Sequence, residues 1–263
     1  MQTDSGTIER LLLMMTQLRD PEHGCAWDKM QSFATIAPYT LEETYEVLDA
    51  IERQDFAALK EELGDLLFHI VFYAQIAKEQ ALFDFNEICQ IVSQKLISRH
   101  PHIFAGQSFA KSDKANYDWE KNKVKERAAK NQHSILDDIP PVLPALMKAN
   151  KMQKRCATVG FDWDKFAPVL AKVHEEIEEV LAEINKPTPI PSRIEEEIGD
   201  LLFAVVNLSR HLGHEPELAL QKACGKFEGR FRQVEKLILN KGGSLENATL
   251  DEMEKLWQQI KKE

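Results

Sequence analysis

An acidic motif that runs directly into an apolar segment occurs twice, and this repeat constrains the fold more than any other feature. Residues 62–68 read Glu-x-Gly-Asp-Leu-Leu-Phe, and residues 197–203 repeat that pattern. A Glu-Glu-x-x-Glu cluster precedes each motif, at residues 42–46 and 175–179. In both copies a Gly-x-x-Trp-Asp segment lies ahead and a Lys-x-x-x-Arg segment follows. Anchors that recur in the same order predict a duplicated structural module.

Apolar residues recur at intervals of three and four positions along nearly the whole chain, which is typical of amphipathic helices. No segment shows convincing two-residue alternation, so the sequence predicts an all-α protein built from two tandem repeats of a helical bundle module. Asp55 is expected to cap one helix, and Ser192 with Glu195 is expected to form a capping box for another. The helices are expected at about 8–18, 41–53, 55–80, 86–98 and 217–239.

A polar stretch containing several prolines separates the two copies. We expect an N-terminal module at residues 1–106, a connector at 107–138 that includes a charged helix at about 119–130, and a C-terminal module at 139–263. Clusters of proline and polar residues between periodic segments are typical of connectors.

The composition narrows the classes of function. The net charge of −10 argues against a general nucleic-acid binder, which would show a basic face. The chain has no apolar run of 18 residues and no basic-then-hydrophobic start, so we expect neither a membrane partner nor a secretory signal. The four cysteines are scattered without a Cys-x-x-Cys pair, which favours a reduced, cytoplasmic protein.

Within each acidic motif, two carboxylates lie three residues apart in the sequence. Residues at this spacing share one face of a helix. Clustered carboxylates repel one another, and a hard divalent cation such as Mg²⁺, or Mn²⁺ as a substitute, would relieve that repulsion. Solvated helix faces are the simpler alternative. We favour the metal site because residues 201–208 are almost entirely apolar, so that their helix is expected to be buried. The pairs are Glu43 with Glu46, Glu62 with Asp65, Glu176 with Glu179, and Glu197 with Asp200.

Two other metal centres fit the sequence less well. A di-iron carboxylate bundle uses Glu-x-x-His on two helices, and neither copy contains that motif. A zinc site built from His23, Cys25, His100 and His102 would not match any usual ligand spacing.

A basic stripe follows the second acidic motif. Lys222, Lys226 and Arg230 recur every four residues, so they lie on one side of a helix and could contact phosphates or form local ion pairs. Trp257 could stack on a base or simply pack in the core. The chain has no Gly-x-x-x-x-Gly-Lys-Ser/Thr loop, so nucleotide binding would not be of the P-loop kind.

These motifs together resemble the MazG family of nucleoside triphosphate pyrophosphohydrolases over essentially the whole chain. The resemblance implies an all-α homodimer that uses Mg²⁺ to hydrolyse nucleoside triphosphates to monophosphates and pyrophosphate, and so cleans nucleotide pools. It implies that Lys226 and Arg230 hold phosphates and that Trp257 lies near the base. Lys222, on the same stripe, is a further candidate for substrate binding. Glu175, adjacent to the acidic pairs, is a candidate for orienting the attacking water. The implied metal ligands are Glu176, Glu179, Glu197 and Asp200.

The two copies differ at one position on the acidic face. Asn207 lies seven residues after Asp200, whereas the equivalent residue of the first copy is Phe72. We therefore expect the C-terminal copy to be the main catalytic site, with Asn207 as a polar contact. The first copy is expected to be weaker or inactive; its acids are Glu43, Glu46, Glu62 and Asp65.

Two other functions use the same residues. A nucleotide- or metal-sensing protein that does not hydrolyse its ligand would need the same acids. A structural helical adaptor would leave those acids in solvent and bind no cation.

Overall fold

The computed structural model describes residues 7–104 and 134–262, and every regular element within these ranges is helical. The all-α prediction is confirmed. The chain divides into two compact units, Met1–Tyr117 and Asp118–Glu263. The charged helix predicted at about 119–130 lies outside the described residues. No helix in the described ranges is both long and apolar enough to cross a membrane.

Three helices of the N-terminal unit supply its core. Its core contains Met15, Ile36, Val71, Phe72 and Ile76, all of them almost completely buried. The helices are α1 (Ile8–Leu18), α2 (Ala26–Met30), α3 (Phe33–Glu52), α4 (Phe56–Glu79), α5 (Phe85–Arg99) and α6 (Pro101–Phe104).

Side-chain caps determine where several of these helices begin. The side chain of Asp55 accepts a hydrogen bond from the backbone N–H of Ala58, which confirms the predicted cap of α4. The helix α3 begins earlier than predicted, because Ser32 and Thr35 form a capping box that satisfies its first N–H groups. Pro38 is then accommodated inside α3.

The C-terminal unit has a similar helical construction. The helices α8 and α9 pack along each other, and α7 packs against α9. A small apolar core joins α10 and α11 through Val234, Ile238, Leu256 and Ile260. The helices are α7 (Ala145–Ala157), α8 (Phe166–Ile184), α9 (Pro191–His211), α10 (Pro216–Asn240) and α11 (Leu250–Ile260), with a 3₁₀ turn at Leu245–Asn247.

Two expectations for α9 are wrong. The helix begins at Pro191 with Ile190 as its N-cap, so Ser192 already lies inside the helix and does not form a capping box with Glu195. Proline suits the first helical position because it lacks an N–H and its φ angle is fixed near the helical value. The apolar run is also not fully buried, since Leu202 is 53% exposed and Phe203 is 45% exposed in the single chain.

Candidate active site

Three carboxylates from two helices converge in the C-terminal unit. Glu176 and Glu179 lie on α8, and Glu197 lies in the second turn of α9. Each offers an oxygen atom within 4.8 Å of the oxygens of the other two. Asp200, the fourth predicted ligand, is not part of this group, but it lines the same cavity as Glu176. We call Glu176, Glu179 and Glu197 the C-terminal carboxylate cluster.

Glu176 is the most constrained member of this cluster, since only 4% of it is exposed. Lys172 lies one turn earlier on α8, and its Nζ is 2.7 Å from Glu176 Oε1 and 2.8 Å from Glu175 Oε1. The other oxygen, Glu176 Oε2, is buried without a hydrogen-bond partner. Hydrogen bonding to Glu176 in the protonated form of Glu179, burial, and the charge of Glu176 together raise the pKa of Glu179.

The donor set fits a hard divalent cation. An unpartnered buried carboxylate oxygen is costly, and repulsion between neighbouring carboxylates adds to that cost. A cation with oxygen ligands removes both costs, and Mg²⁺ and Mn²⁺ are bound in this way. The cluster therefore has the chemistry of a divalent-metal site.

The N-terminal unit contains a related cluster with a different membership. Here Glu43 of α3 joins Glu62 and Asp65 of α4, again with oxygens within 4.8 Å of one another, and Glu46 is not a member. Burial and the charge of Asp65 raise the pKa of Glu43. Burial and the charge of Glu46 raise the pKa of Glu62. The two copies thus share the arrangement but not the same set of acids.

A cavity of about 630 Å³ adjoins the C-terminal carboxylate cluster. It lies among α7, α8, α9 and the segment that connects α7 to α8. Glu176 and Asp200 provide its acidic side, and Asn207 also lines it. The aromatic lining residues are Phe161, Trp163 and Phe203.

A polar network fixes one wall of this cavity. Asp162 Oδ1 accepts a hydrogen bond of 2.5 Å from Arg210, and His211 Nε2 lies 2.9 Å from the same oxygen. Arg210 also donates two hydrogen bonds to Asn207 Oδ1, at 3.0 and 2.7 Å. Burial alone would raise the pKa of Asp162, but the hydrogen bonds from Arg210 and His211 outweigh it and lower that pKa. The network ties the segment containing Trp163 to the end of α9.

The predicted phosphate-binding residues lie elsewhere in the unit. Lys222, Lys226 and Arg230 are on α10, and they are not among the lining residues of the cavity. Trp257 of α11 packs against Phe227, with the ring centroids 5.1 Å apart. This contact gives Trp257 a packing role in the described structure.

Several residues of the site were not identified from the sequence. Lys172 precedes Glu176 by four positions, a helical spacing typical of ion pairs, so a signal for it was present. Trp163 belongs to the repeated Gly-x-x-Trp-Asp segment, which marked it as structurally equivalent to Trp27 without indicating a role. Arg210 carried no sequence signal, because its contact with Asp162 joins residues that are 48 positions apart.

In each unit, two helices bring three carboxylates together. This arrangement in an all-α chain is typical of helical proteins that bind divalent cations through carboxylates. Residues 31–104 and 165–235 both match the model of the MazG nucleotide pyrophosphohydrolase domain. The chain belongs to the MazG family, which confirms the resemblance found in its motifs.

Relatives in bacteria support this assignment, and two of them match over nearly their whole length. The chain is 59% identical over 256 residues to the nucleoside triphosphate pyrophosphohydrolase of Escherichia coli (strain K12), covering 97% of each chain. It is 41% identical over 253 residues to the nucleoside triphosphate pyrophosphohydrolase/pyrophosphatase MazG of Thermotoga maritima, covering 96% of this chain and 95% of that one. A partial match to the nucleoside triphosphate pyrophosphohydrolase of Mycobacterium tuberculosis is 35% identical over 159 residues, covering 60% of this chain and 48% of that one.

Proposed function

We propose that this chain is a nucleoside triphosphate pyrophosphohydrolase that cleaves ribo- and deoxyribonucleoside triphosphates at the α-phosphorus. The products are a nucleoside monophosphate and pyrophosphate, and the role is the removal of unwanted nucleotides from the cytoplasmic pool. Membership in the MazG family supports the reaction class. The observation that carries the proposal is the convergence of Glu176, Glu179 and Glu197 beside a cavity of nucleotide size.

The carboxylates of the cluster, together with Asp200, would hold Mg²⁺, with Mn²⁺ as a substitute. When bound, the cation supplies charge neutralisation at the phosphate oxygens and at the pyrophosphate leaving group. The buried, unpartnered Glu176 Oε2 supports this assignment, because it is an acceptor that a cation would satisfy.

Residues outside the cluster would bind the substrate and orient the water. Glu175 is held by Lys172 through one oxygen, and its other oxygen is proposed to accept a hydrogen bond from the attacking water. The water oxygen forms a bond to the α-phosphorus while the bond from this phosphorus to the bridging oxygen breaks. Lys226 and Arg230 of α10 stay our proposed phosphate contacts, with Lys222 beside them. The stacking role of Trp257 stays a prediction.

We assign the main activity to the C-terminal module, which we place at residues 139–263. Asn207 lines the cavity there, whereas its counterpart Phe72 is fully buried in the core of the N-terminal unit. This difference supports a weaker or inactive first copy.

A product-resolved assay tests the proposed function. Incubation with each nucleoside triphosphate and Mg²⁺ is expected to yield monophosphate and pyrophosphate in equal amounts, with Mn²⁺ able to replace Mg²⁺ and EDTA abolishing turnover. Release of inorganic phosphate and a diphosphate would contradict attack at the α-phosphorus. Tight binding of nucleotide with no product would instead favour a non-hydrolytic sensor.

We also propose that the chain forms a homodimer. The support is the apolar surface of α9, where Leu202, Phe203 and Val205 are 53%, 45% and 43% exposed in a single chain. Large exposed apolar surfaces mark sites of association. Light scattering is expected to give twice the chain mass of 30.1 kDa. A monomeric mass at micromolar concentration would refute this proposal.

A further inference from the structure

Gln153 of α7 presents a buried hydrogen-bond acceptor at the wall of the cavity. Only 8% of the residue is exposed, and it is one of the lining residues. Its Nε2 donates a hydrogen bond of 2.9 Å to the backbone carbonyl oxygen of Phe203. Its Oε1 is buried and has no hydrogen-bond partner. The carboxylate chemistry described above does not involve this side chain.

The contact with Phe203 fixes the orientation of the amide. A backbone carbonyl oxygen can only accept hydrogen bonds, so it requires the NH₂ group of Gln153 rather than its oxygen. A flipped amide would place two acceptors against each other. The cavity wall therefore carries a fixed acceptor that cannot become a donor. A buried acceptor without a partner costs about 1–3 kcal/mol, and a donor on a ligand would remove that cost.

The surroundings of Gln153 indicate which ligand group would supply the donor. Phe161, Trp163 and Phe203 give the cavity flat apolar surfaces, which suit the faces of a nucleobase. Glu176 and Asp200 line the same cavity, next to the proposed cation. A nucleotide with its phosphates at the carboxylates would place its base among the aromatic rings.

We propose that Gln153 is a specificity-determining residue whose Oε1 accepts a hydrogen bond from an N–H group of the nucleobase. This inference rests on the proposed function, in that the cavity must take a nucleotide. It places the base beside α7. Bases that offer no N–H group leave the acceptor unsatisfied and are discriminated against.

The unmodified protein tests this without any substitution. Purine riboside 5′-triphosphate has the ring system of ATP but no N–H group on its base. We expect its kcat/KM to be about 10- to 100-fold below that of ATP, which corresponds to the cost of one unsatisfied buried acceptor. We expect dATP to stay within a few-fold of ATP, because the donor belongs to the base and not to the 2′-hydroxyl group. Dissociation constants from calorimetry with Ca²⁺ in place of Mg²⁺ should follow the same order.

A variant and a matched control complete the test. Gln153→Met keeps the length of the side chain but removes the acceptor. The kcat/KM for ATP should therefore fall to that for purine riboside triphosphate, whose own value should stay unchanged. Gln17 precedes Gly24 by the same interval as Gln153 precedes Gly160, and it is exposed. Gln17→Met should therefore leave the preference intact.

The possible failures are distinguishable. If the unmodified protein binds and hydrolyses both triphosphates equally well, the role of Gln153 is overturned and the proposed function stands. If dATP falls well below ATP while purine riboside triphosphate does not, the donor is the sugar hydroxyl group and the inference is overturned. If no pyrophosphate forms from any nucleotide, the proposed function fails, and the ratio of the two dissociation constants still decides for or against Gln153.

Discussion

Glu197→Gln is expected to lower kcat for pyrophosphate release by about 100-fold or more, because a catalytic cation contributes several kcal/mol and each 1.36 kcal/mol is a factor of ten. Glu197 is the contribution of α9 to the C-terminal carboxylate cluster, so its loss leaves only the two acids of α8 in that cluster. The neutral amide keeps the size of the side chain but removes the charge that holds the cation. Calorimetry should show the loss of the Mn²⁺ and Mg²⁺ isotherm assigned to this cluster.

Glu62→Gln is the matched control for this prediction. Glu62 occupies the equivalent position in the first acidic motif and belongs to the N-terminal group of acids. We expect this variant to keep most of the activity, because the adjoining cavity belongs to the C-terminal unit. Abolition of turnover by Glu62→Gln together with normal turnover of Glu197→Gln would reverse our assignment of the two copies. Unchanged metal binding in Glu197→Gln would remove the proposed site.

The sequence was most informative where the determinants of structure are local. The interval between apolar residues predicted α1, and the short polar side chain of Asp55 predicted the start of α4. The three-residue spacing within each acidic motif predicted that carboxylates of one helix would share a face, and the structure brings three such acids together in each unit. Helical geometry alone accounts for these predictions.

Contacts between distant parts of the chain could not be derived in this way. The hydrogen bond from Gln153 to the carbonyl oxygen of Phe203 joins positions 50 residues apart, and helical periodicity gives no rule for such a pairing. The same is true of Asp162 with Arg210. The expected burial of residues 201–208 was wrong for a related reason. An apolar composition predicts that a surface is covered, but it does not say whether the same chain covers it.

Equivalent positions of the two repeated modules lie in different environments. The position of Asn207 borders a cavity in the C-terminal unit, whereas Phe72 fills the equivalent position in the other unit and is fully buried. The guanidinium of Arg19 lies over the ring of Phe72, 5.3 Å from its centroid. In the N-terminal unit the region around Phe72 therefore contributes to the stability of the fold, and Arg19 is a main contributor.

Arg19→Met is expected to lower the free energy of unfolding of the N-terminal unit by about 3 kcal/mol, because it leaves a partly buried carboxylate and two backbone carbonyl oxygens without their partner. The side chain of Arg19 is only 7% exposed, and its Nη2 lies 2.6 Å from Glu79 Oε2. Its Nη1 donates to the backbone carbonyl oxygens of Asp28 and Gln31. We choose the lower part of the range for buried pairs because Glu79 keeps 34% of its side-chain exposure. Urea denaturation followed by fluorescence would measure the change.

The effect should depend on pH in a defined direction. Burial alone would raise the pKa of Glu79, but hydrogen bonds from Arg19 and Gln75 outweigh it and lower that pKa below its ordinary value of 4.5. A lowered folded-state pKa contributes stability that is present above the unfolded pKa and is lost as the pH falls through the folded pKa. The difference between unmodified protein and Arg19→Met should therefore be full at neutral pH and should shrink as the pH falls below 4.5.

Arg53→Met is the control for this prediction, since it removes an arginine that also pairs with carboxylates. Arg53 contacts Asp49 and Asp55, but its side chain is 53% exposed. Exposed pairs contribute about 0–1 kcal/mol, so this variant should unfold close to the unmodified protein. If Arg19→Met were no more destabilising than Arg53→Met, the buried contacts of Arg19 would not stabilise the unit. A difference between the unmodified protein and Arg19→Met that stayed constant down to acidic pH would show that the carbonyl contacts, rather than the ion pair with Glu79, account for the effect.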